Sequence, residues 1–193
     1  VGKNPLIFTN NDSGYETAIE FKKNGITPII LDTRKDPKSE IIDEAKNLDI
    51  NIKFSHVIVA AKGYKKVKSA DIAKISDDKE QLEKVENIKC DCICVSGFWT
   101  PTIHLASQSG NKTKFNQDID AFVPGISKQN EKTLGAANGI YTLEETLKSS
   151  FDTGHELSKK ITNNTNKISF PNKKKKKSTV HDKFWCVPLP KGK

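Results

Sequence analysis

The first third of the chain alternates apolar, strand-like runs with amphipathic helical segments, and this alternation constrains the fold more than any other feature. Pro5–Thr9 predicts a buried strand, and the polar turn Asn10–Gly14 that follows it is rich in helix-capping residues. The next helix ends at Asn24–Gly25, and a second strand, Thr27–Leu31, precedes another helix capped by Ser39. Strand, helix, strand, helix predicts an α/β fold with a doubly wound parallel sheet.

From His56 the hydrophobic period changes to that of β-strands. His56–Ala61 and Tyr64–Ile75 predict strands joined by a turn. Cys90–Val95 predicts a further strand, which runs directly into Ser96–Gly97. We therefore interpret residues 1–97 as a Rossmann-like nucleotide-binding lobe in which a β-meander replaces the usual crossover.

The turn after the first strand is where a doubly wound fold holds the pyrophosphate of a dinucleotide. A dinucleotide fingerprint reads G-x-G-x-x-G there, because its glycines let the backbone approach the phosphates. This chain has Thr9–Gly14 instead, with a single glycine and with Asp12, whose charge repels an anion at the helix N-terminus. The sequence favours a helix cap, in a lobe whose nucleotide site has been lost or repurposed.

No residue pattern points to catalysis or to a metal centre. Cys90, Cys92 and Cys94 alternate on a predicted strand, so they lie roughly 6.5 Å apart along it. Ligands so spaced do not surround one ion, and we expect these cysteines to be small core residues. The four histidines have no metal-ligand spacing, and no G-x-S-x-G motif occurs. We therefore predict no catalytic residue and no metal site.

The net charge of +8 does not by itself predict a nucleic-acid partner. Arg34 is the only arginine, although arginine is the residue that contacts phosphates and guanines with paired hydrogen bonds. Five lysines form the run Lys173–Lys177, without which the charge falls to +3, and such runs are usually solvated tails or linkers. A basic module that binds nucleic acid or acidic lipid through this run is the non-enzyme alternative.

The sequence also predicts the cellular compartment. No apolar stretch reaches the ~18 residues that a membrane span needs, and no secretion signal begins the chain. The cysteine pattern favours a reducing environment. We predict a cytoplasmic protein without a membrane partner.

Four segments together resemble the alpha subunit of heterotetrameric sarcosine oxidase, in the order expected for that family. They cover about residues 5–160 and comprise Phe8–Tyr15, Ser96–Gly110, Ala121–Gly125 and Gly135–Gly139. The resemblance is to an internal piece, since the family places a strand and a glycine-rich turn upstream and a folate-binding, aminomethyltransferase-like domain downstream. Phe98 stands where the family leads us to expect glycine, and the lysine run is not a family feature.

The resemblance implies an incomplete two-lobe fold of the FAD/NAD(P)-binding, glutathione-reductase type. Residues 98–162 would be the returning part of the dinucleotide-binding domain, and residues 163–193 a lysine-rich linker toward the folate-binding domain. The family oxidises sarcosine to glycine, while oxygen becomes hydrogen peroxide. The methyl carbon leaves as formaldehyde or as 5,10-methylenetetrahydrofolate. The alpha subunit of an opine or proline dehydrogenase on the same scaffold is the alternative enzyme.

The resemblance also implies cofactors and partners. The alpha subunit binds NAD, FMN lies at its interface with the beta subunit, and FAD belongs with the amine-oxidising site to the beta subunit. Beta, gamma and delta subunits are the expected partners, with tetrahydrofolate bound through the downstream domain. This chain would supply scaffold, NAD contact and part of the flavin interface, and would be inactive on its own.

Two places are candidate cofactor-binding sites, namely Ser96 and Gly97, and the run Gly135, Ala136, Ala137, Asn138 and Gly139. The first pair ends a strand, where sheets of this class bind ligands. The run lets a ligand approach the backbone and precedes a helix predicted over Thr142–Lys160, whose N-terminal amides attract phosphate. In glutathione-reductase-like folds an acidic residue of a similar turn touches the dinucleotide, and Asn138 is the matching position. Trp99 either contacts a partner subunit or anchors its loop against the core.

Overall fold

The structure is a computed structural model that describes residues 2–162, 182–184 and 186–188. The run Lys173–Lys177 lies outside the described residues. The described chain divides into two compact units. The first ends at Phe98 and takes in the described residues beyond 181, and the second begins at Trp99.

A four-stranded parallel sheet organises the first unit. In chain order the unit contains β1 (Pro5–Thr9), α1 (Ser13–Lys23), β2 (Ile29–Asp32), α2 (Glu40–Asn47), β3 (Asn51–Phe54), β4 (His56–Tyr64), β5 (Lys66–Ile75), β6 (Leu82–Lys89) and β7 (Cys92–Ser96). The parallel strands lie in the order β3-β2-β1-β7, and β4, β5 and β6 form a separate antiparallel meander. The strand–helix alternation and the meander predicted from the sequence are confirmed.

Both faces of the parallel sheet are covered, as the apolar character of its strands requires. Because successive side chains point to opposite faces, Ile7 and Ile30 pack in one cluster with apolar residues of α1 and α2. Leu6 and Leu31 pack on the other face in a second cluster, with Ala70 and Ile72 of β5. The meander therefore takes the place of a helical layer.

The predicted ends of the two helices are only partly as expected. Helix α1 ends as predicted, since the N–H of Ile26 donates to the carbonyl of Phe21 over 3.0 Å. Ser39 stands at the N-cap position of α2, but its hydroxyl makes no capping hydrogen bond. That hydroxyl is buried without a hydrogen-bond partner among the described residues.

The three clustered cysteines lie in or beside the core. Cys90 is buried in the cluster that faces the meander, and Cys94 packs against the cluster that faces α1. Cys92 is half-buried, with its Sγ 3.9 Å from that of Cys94. Within the described residues, no group of three or more potential metal ligands converges.

The second unit contains α3 (His104–Gln108), β8 (Thr113–Asn116), β9 (Ala121–Pro124), a 3₁₀ helix (Gly135–Asn138) and α4 (Leu143–Thr162). Strands β8 and β9 form a two-stranded antiparallel ribbon, in which the rings of Phe115 and Phe122 lie 5.3 Å apart. Helix α4 is the helix predicted over Thr142–Lys160. None of the helices in the described parts of the chain has the length and apolar character needed to span a membrane.

Candidate functional site

A cleft of about 200 Å³ opens at the carboxyl ends of β1 and β7. Strand β1 leads through α1 to β2 on one side, whereas its other neighbour is β7. The cleft therefore lies at the topological switch point, where doubly wound sheets bind ligands. Ser96 and Gly97, both predicted site residues, line this cleft. Their role in cofactor binding stays a prediction.

The rest of the cleft lining is neutral and consists of Phe8, Thr9, Asn10, Thr33, Val95 and Phe184. The hydroxyl of Thr33 is buried and has no hydrogen-bond partner among the described residues. Asn10 donates from Nδ2 to the carbonyl of Gly97 over 3.4 Å. Since no charged side chain among the described residues lines the cleft, these residues offer apolar contact and neutral hydrogen bonding rather than charge neutralisation of a phosphate.

The turn after β1 is closed by its own side chains. Asn11 Nδ2 donates to the carbonyl of Ser96 over 3.1 Å, and Asn11 Oδ1 accepts from the backbone N–H of Ser13 over 2.9 Å. The hydroxyls of Ser13 and Ser96 lie 2.5 Å apart. Thr9 Oγ1 donates to the carbonyl of Asn11 over 2.9 Å. The polar side chains of the turn are thus paired with one another and with Ser96, and the turn lacks the first two glycines that let a backbone approach a pyrophosphate.

Gly14 allows helix α1 to pack closely against strand β1, which is the role of the third glycine in a dinucleotide fingerprint. A Cβ atom at this position would lie 2.7 Å from the Cβ of Thr9. The third glycine of a dinucleotide fingerprint likewise permits close packing of helix on strand. The lobe therefore retains the close helix-on-strand packing of a dinucleotide fold at Gly14, and the loss of its phosphate site stays a prediction.

A buried charge cluster lies beneath the turn. Arg34 donates from Nη2 to Asp32 Oδ2 over 2.8 Å, and from Nη1 to Asp12 Oδ1 over 2.8 Å. The hydroxyl of Tyr15 donates to Asp32 Oδ2 over 2.6 Å. Asp12 was expected to repel an anion, but its charge is paired with the only arginine of the chain.

Asp32 is closed to any ligand by this cluster. Its position at the end of β2 is where NAD-binding folds place a carboxylate that binds the adenosine ribose. Here the Asp32 side chain is 0% exposed and accepts from Tyr15 and from Arg34, including the Arg34 backbone N–H. The sequence signal for this pair is an acid at the end of β2 followed two residues later by the only arginine of the chain.

Burial and charge act together on the cluster's titratable groups. Burial raises the pKa of the Tyr15 hydroxyl, and the adjacent Asp32 carboxylate raises it further. Burial alone would lower the pKa of Arg34, but hydrogen bonds and charge from Asp32 and Asp12 outweigh it and raise that pKa. The tyrosine therefore stays neutral and the arginine charged, which suits a structural role rather than proton transfer.

The predicted run Gly135–Gly139 forms a 3₁₀ helix that ends in a left-handed glycine. Gly135 has φ +63° and is buried against Thr146, whereas Ala136 is exposed. Gly139 has φ +78°, and a Cβ there would lie 2.5 Å from the Ile119 side chain. Both glycines are thus required by the backbone and packing of the second unit itself.

The N-terminus of α4 is capped within the chain. Thr142 Oγ1 accepts from the N–H of Glu145 over 3.3 Å and donates to the Glu145 carboxylate over 2.8 Å. Glu144 also lies in this first turn. This capping box supplies negative charge where a phosphate was expected, so α4 itself is a poor phosphate site. The amide side chain of Asn138 has no hydrogen-bond partner among the described residues, which leaves it available to a ligand.

The segment that leaves β7 departs from the family pattern at Phe98, where the resemblance leads us to expect glycine. Phe98 has φ +97°, a backbone conformation that favours glycine. The indole of Trp99 is 65% exposed, and the Trp99 carbonyl accepts from the Tyr141 hydroxyl over 2.8 Å. Trp99 is therefore not buried in the core of its unit, which leaves its predicted role as a partner contact open.

Comparison with curated proteins identifies related chains. No protein-family model matches this chain. It is 25% identical over 148 residues to sarcosine oxidase subunit alpha from Corynebacterium sp. (strain P-1), which covers 76% of this chain and 15% of that protein. It is 29% identical over 144 residues to the same subunit from Rhizobium meliloti (strain 1021), which covers 70% of this chain and 13% of that protein. The chain is a partial homologue of that subunit and spans about one seventh of the length of these relatives.

Solved structures confirm the fold class. The chain aligns with a bacillithiol disulfide reductase from Staphylococcus aureus at TM-score 0.62 and 13% identity, covering 82% of this chain and 51% of the other. It aligns with a flavoprotein disulfide reductase from Escherichia coli at TM-score 0.59 and 14% identity, covering 81% of this chain and 36% of the other. At these identities the likeness shows the fold alone. The predicted α/β fold of FAD/NAD(P)-binding flavoproteins is confirmed.

Proposed function

We propose that this chain is the scaffold portion of a sarcosine-oxidase-type alpha subunit, with a share in NAD contact and in the flavin interface. The observation that carries the scaffold role is the turn Thr9–Gly14, which keeps the dinucleotide-binding topology while its own polar side chains are paired with one another and with Ser96. Homology to sarcosine oxidase alpha subunits supports the reaction. In that reaction sarcosine becomes glycine, its methyl carbon leaves as formaldehyde or 5,10-methylenetetrahydrofolate, and oxygen becomes hydrogen peroxide.

The chain's own residues would bind and position rather than react. FAD in the beta subunit and FMN at the interface with it would supply the redox chemistry when bound. The charged groups beneath the turn are already paired with one another, and the cleft is lined by neutral side chains. We therefore assign no proton-transfer or nucleophilic step to this chain.

NAD contact is assigned to Gly135–Gly139 rather than to the first unit. Its support is the exposed Ala136 beside the buried Gly135, together with the Asn138 amide, which lacks a partner among the described residues. A neutral amide donates hydrogen bonds to a pyrophosphate without adding negative charge. Thr142 and Glu145 cap the following helix, so the contact rests on the 3₁₀ segment alone.

The surface of the second unit supports a role in an assembly. Its exposed large hydrophobic side chains include Trp99, Leu105, Ile126 and Leu143. Exposed apolar surface of this kind marks sites of protein contact. We propose that the beta, gamma and delta subunits, or a folate-binding domain of the same subunit that takes tetrahydrofolate, cover part of it.

The NAD assignment is tested by Asn138→Asp in the complete subunit, with NAD retention measured by chromatography of the released cofactor. Loss of a donor and gain of a like charge should weaken retention by about 1–3 kcal/mol. Asn130→Asp makes the same chemical change at an exposed loop position and should have no effect. Equal NAD occupancy in both variants would remove the segment from the cofactor site.

The reaction is tested separately by peroxide release. The assembled subunits should release hydrogen peroxide when sarcosine is added, and this chain alone should release none. Peroxide release from the isolated chain would contradict the scaffold role. Reduction of an artificial electron acceptor with proline, without peroxide release from sarcosine, would point to the related dehydrogenases.

A further inference from the structure

A short stretch near the end of the chain lies against the switch-point cleft. The N–H of Asp182 donates to the carbonyl of Asn10 over 2.9 Å, and Asn10 Nδ2 donates back to the carbonyl of Asp182 over 3.1 Å. Asn10 is 5% exposed and follows β1 directly. The contact therefore joins the two residues at two points, one backbone-to-backbone hydrogen bond and one from the Asn10 side chain to the backbone, at the carboxyl edge of the sheet.

Side chains hold the same stretch on both sides of this contact. The ammonium group of Lys79 lies 2.8 and 2.9 Å from the two carboxylate oxygens of Asp182. Lys79 also lies 6.0 Å from the centre of the Phe184 ring. Phe184 and Val187 pack against an apolar cluster of the meander formed by Val57, Ala73, Ile75 and Leu82. One ion pair, two backbone-directed hydrogen bonds and two apolar anchors thus fix this segment.

Phe184 is also part of the cleft wall, beside Phe8 and Gly97. The segment accordingly lies at the place where a doubly wound sheet would receive an external ligand. We propose that the surface formed by Asn10, Lys79 and the apolar cluster of the meander is a peptide-binding site whose ligand is this chain's own segment of residues 182–184 and 186–188. The recognised pattern is an acidic residue followed two positions later by an aromatic ring. The bound segment forms one wall of the switch-point cleft through Phe184 and leaves about 200 Å³ of the cleft open.

The proposal goes beyond the scaffold role, because a scaffold has no need to bind this segment. It also gives residues 182–184 and 186–188 a defined position on the first unit. The charge of Asp182 is satisfied by Lys79, and the neutral cleft needs no further counter-ion.

The test uses the 193-residue chain with Phe184→Ala, compared with Cys186→Ser, an exposed position two residues away. Hydrogen exchange of the Asp182 amide should be at least about tenfold slower than in an unstructured peptide, because this amide donates to Asn10. Phe184→Ala should remove this protection and lower the melting temperature by about 3 °C or more, whereas Cys186→Ser should change neither. Amides of β1 and β2 should stay protected in both variants.

A second experiment keeps the proposal testable if Phe184→Ala does not fold. Lys79→Gln removes the ion pair from an exposed loop and should increase exchange at Asp182 by severalfold. A fluorescent peptide with the sequence of residues 179–188 should bind Phe184→Ala protein, which keeps Lys79, and should bind Lys79→Gln protein and the unaltered chain weakly, because the first lacks the partner of Asp182 and the site of the second is filled. An unprotected Asp182 amide in the unaltered chain, or equal peptide binding by all chains, would overturn the proposal.

Discussion

The two units differ in how much apolar surface each one buries. Among the described residues, seventeen of the twenty buried hydrophobic side chains lie in the first unit, and nine of the twelve large exposed ones lie in the second. The three buried hydrophobic residues of the second unit are Ala106, Ala121 and Val123. A two-stranded ribbon is marginal in water by itself, and helices depend on packing of an apolar face. The first unit contains its own core, whereas the second buries only these three small or medium-sized apolar side chains among the described residues.

The units also differ in how they use polar groups. In the first unit, the polar groups at the positions where a ligand was expected are paired within the protein. Asn11, Ser13 and Ser96 form hydrogen bonds with one another, and Asp32 forms an ion pair with Arg34. The second leaves the Asn138 amide without a partner among the described residues. A fold inherited from dinucleotide-binding proteins therefore does not by itself identify a dinucleotide site.

The largest effect on the first unit should come from Arg34→Met. The substitution leaves Asp32 buried without its positive partner, and breaking a buried pair in this way costs about 3–5 kcal/mol. Lys35→Met is the control, because the Lys35–Asp77 pair is exposed to solvent and should contribute little to stability. Urea unfolding followed by circular dichroism gives both free energies. Equal losses for the two variants would show that the buried cluster does not support the first unit.

The contrast in packing is tested by the same substitution in each unit. Leu31→Ala removes a fully buried side chain and should lower the free energy of unfolding by about 3 kcal/mol. Leu147→Ala removes a side chain that is 47% exposed, so the loss should be below about 1 kcal/mol. Urea denaturation measures the difference. A larger loss for Leu147→Ala would mean that the second unit has a core of its own.

A smaller effect is expected for Tyr15→Phe, together with a change in pH dependence. Losing the hydrogen bond to Asp32 should cost about 1 kcal/mol at neutral pH. Because the folded-state pKa of Tyr15 is raised, its stabilising contribution is complete below about pH 10, the unfolded value, and is lost as the pH rises further. The difference in unfolding free energy between the two proteins should therefore shrink above pH 10. A constant difference up to pH 11 would contradict the burial of a neutral hydroxyl.

The smallest effect should come from Trp99→Ala. Since the indole is 65% exposed, its removal should change the unfolding free energy of the chain by less than about 0.5 kcal/mol. Assembly with a beta-type subunit, followed by analytical ultracentrifugation, should weaken, because aromatic residues often anchor interfaces. Unchanged assembly would remove Trp99 from the partner surface.

The sequence predicts local elements well and long-range polar contacts poorly. β1, α1 and β2 follow from hydrophobic periods, and the change of period at His56 predicts the meander, because each of these signals is contained in a few neighbouring residues. The partnership of Asp12 with Arg34 spans 22 residues, and no local pattern encodes it. Asp182 and Phe184 lie in a stretch whose composition is typical of a linker, and their contacts with Asn10 and the meander depend on the assembled sheet. The cofactor roles of Ser96, Gly97 and Gly135–Gly139 stay predictions.

The central claim, that the first unit is a dinucleotide fold whose phosphate turn is closed, is tested most directly by nuclear magnetic resonance. The backbone amide signals of the ¹⁵N-labelled chain would be followed while NAD is added to millimolar concentration. We predict that the amide signals of Asn10–Gly14 stay in place, because the side chains of Asn11 and Ser13 are already paired with each other. Saturable movement of the Asn11, Ser13 and Gly14 signals would show that the turn binds the dinucleotide and would contradict the account.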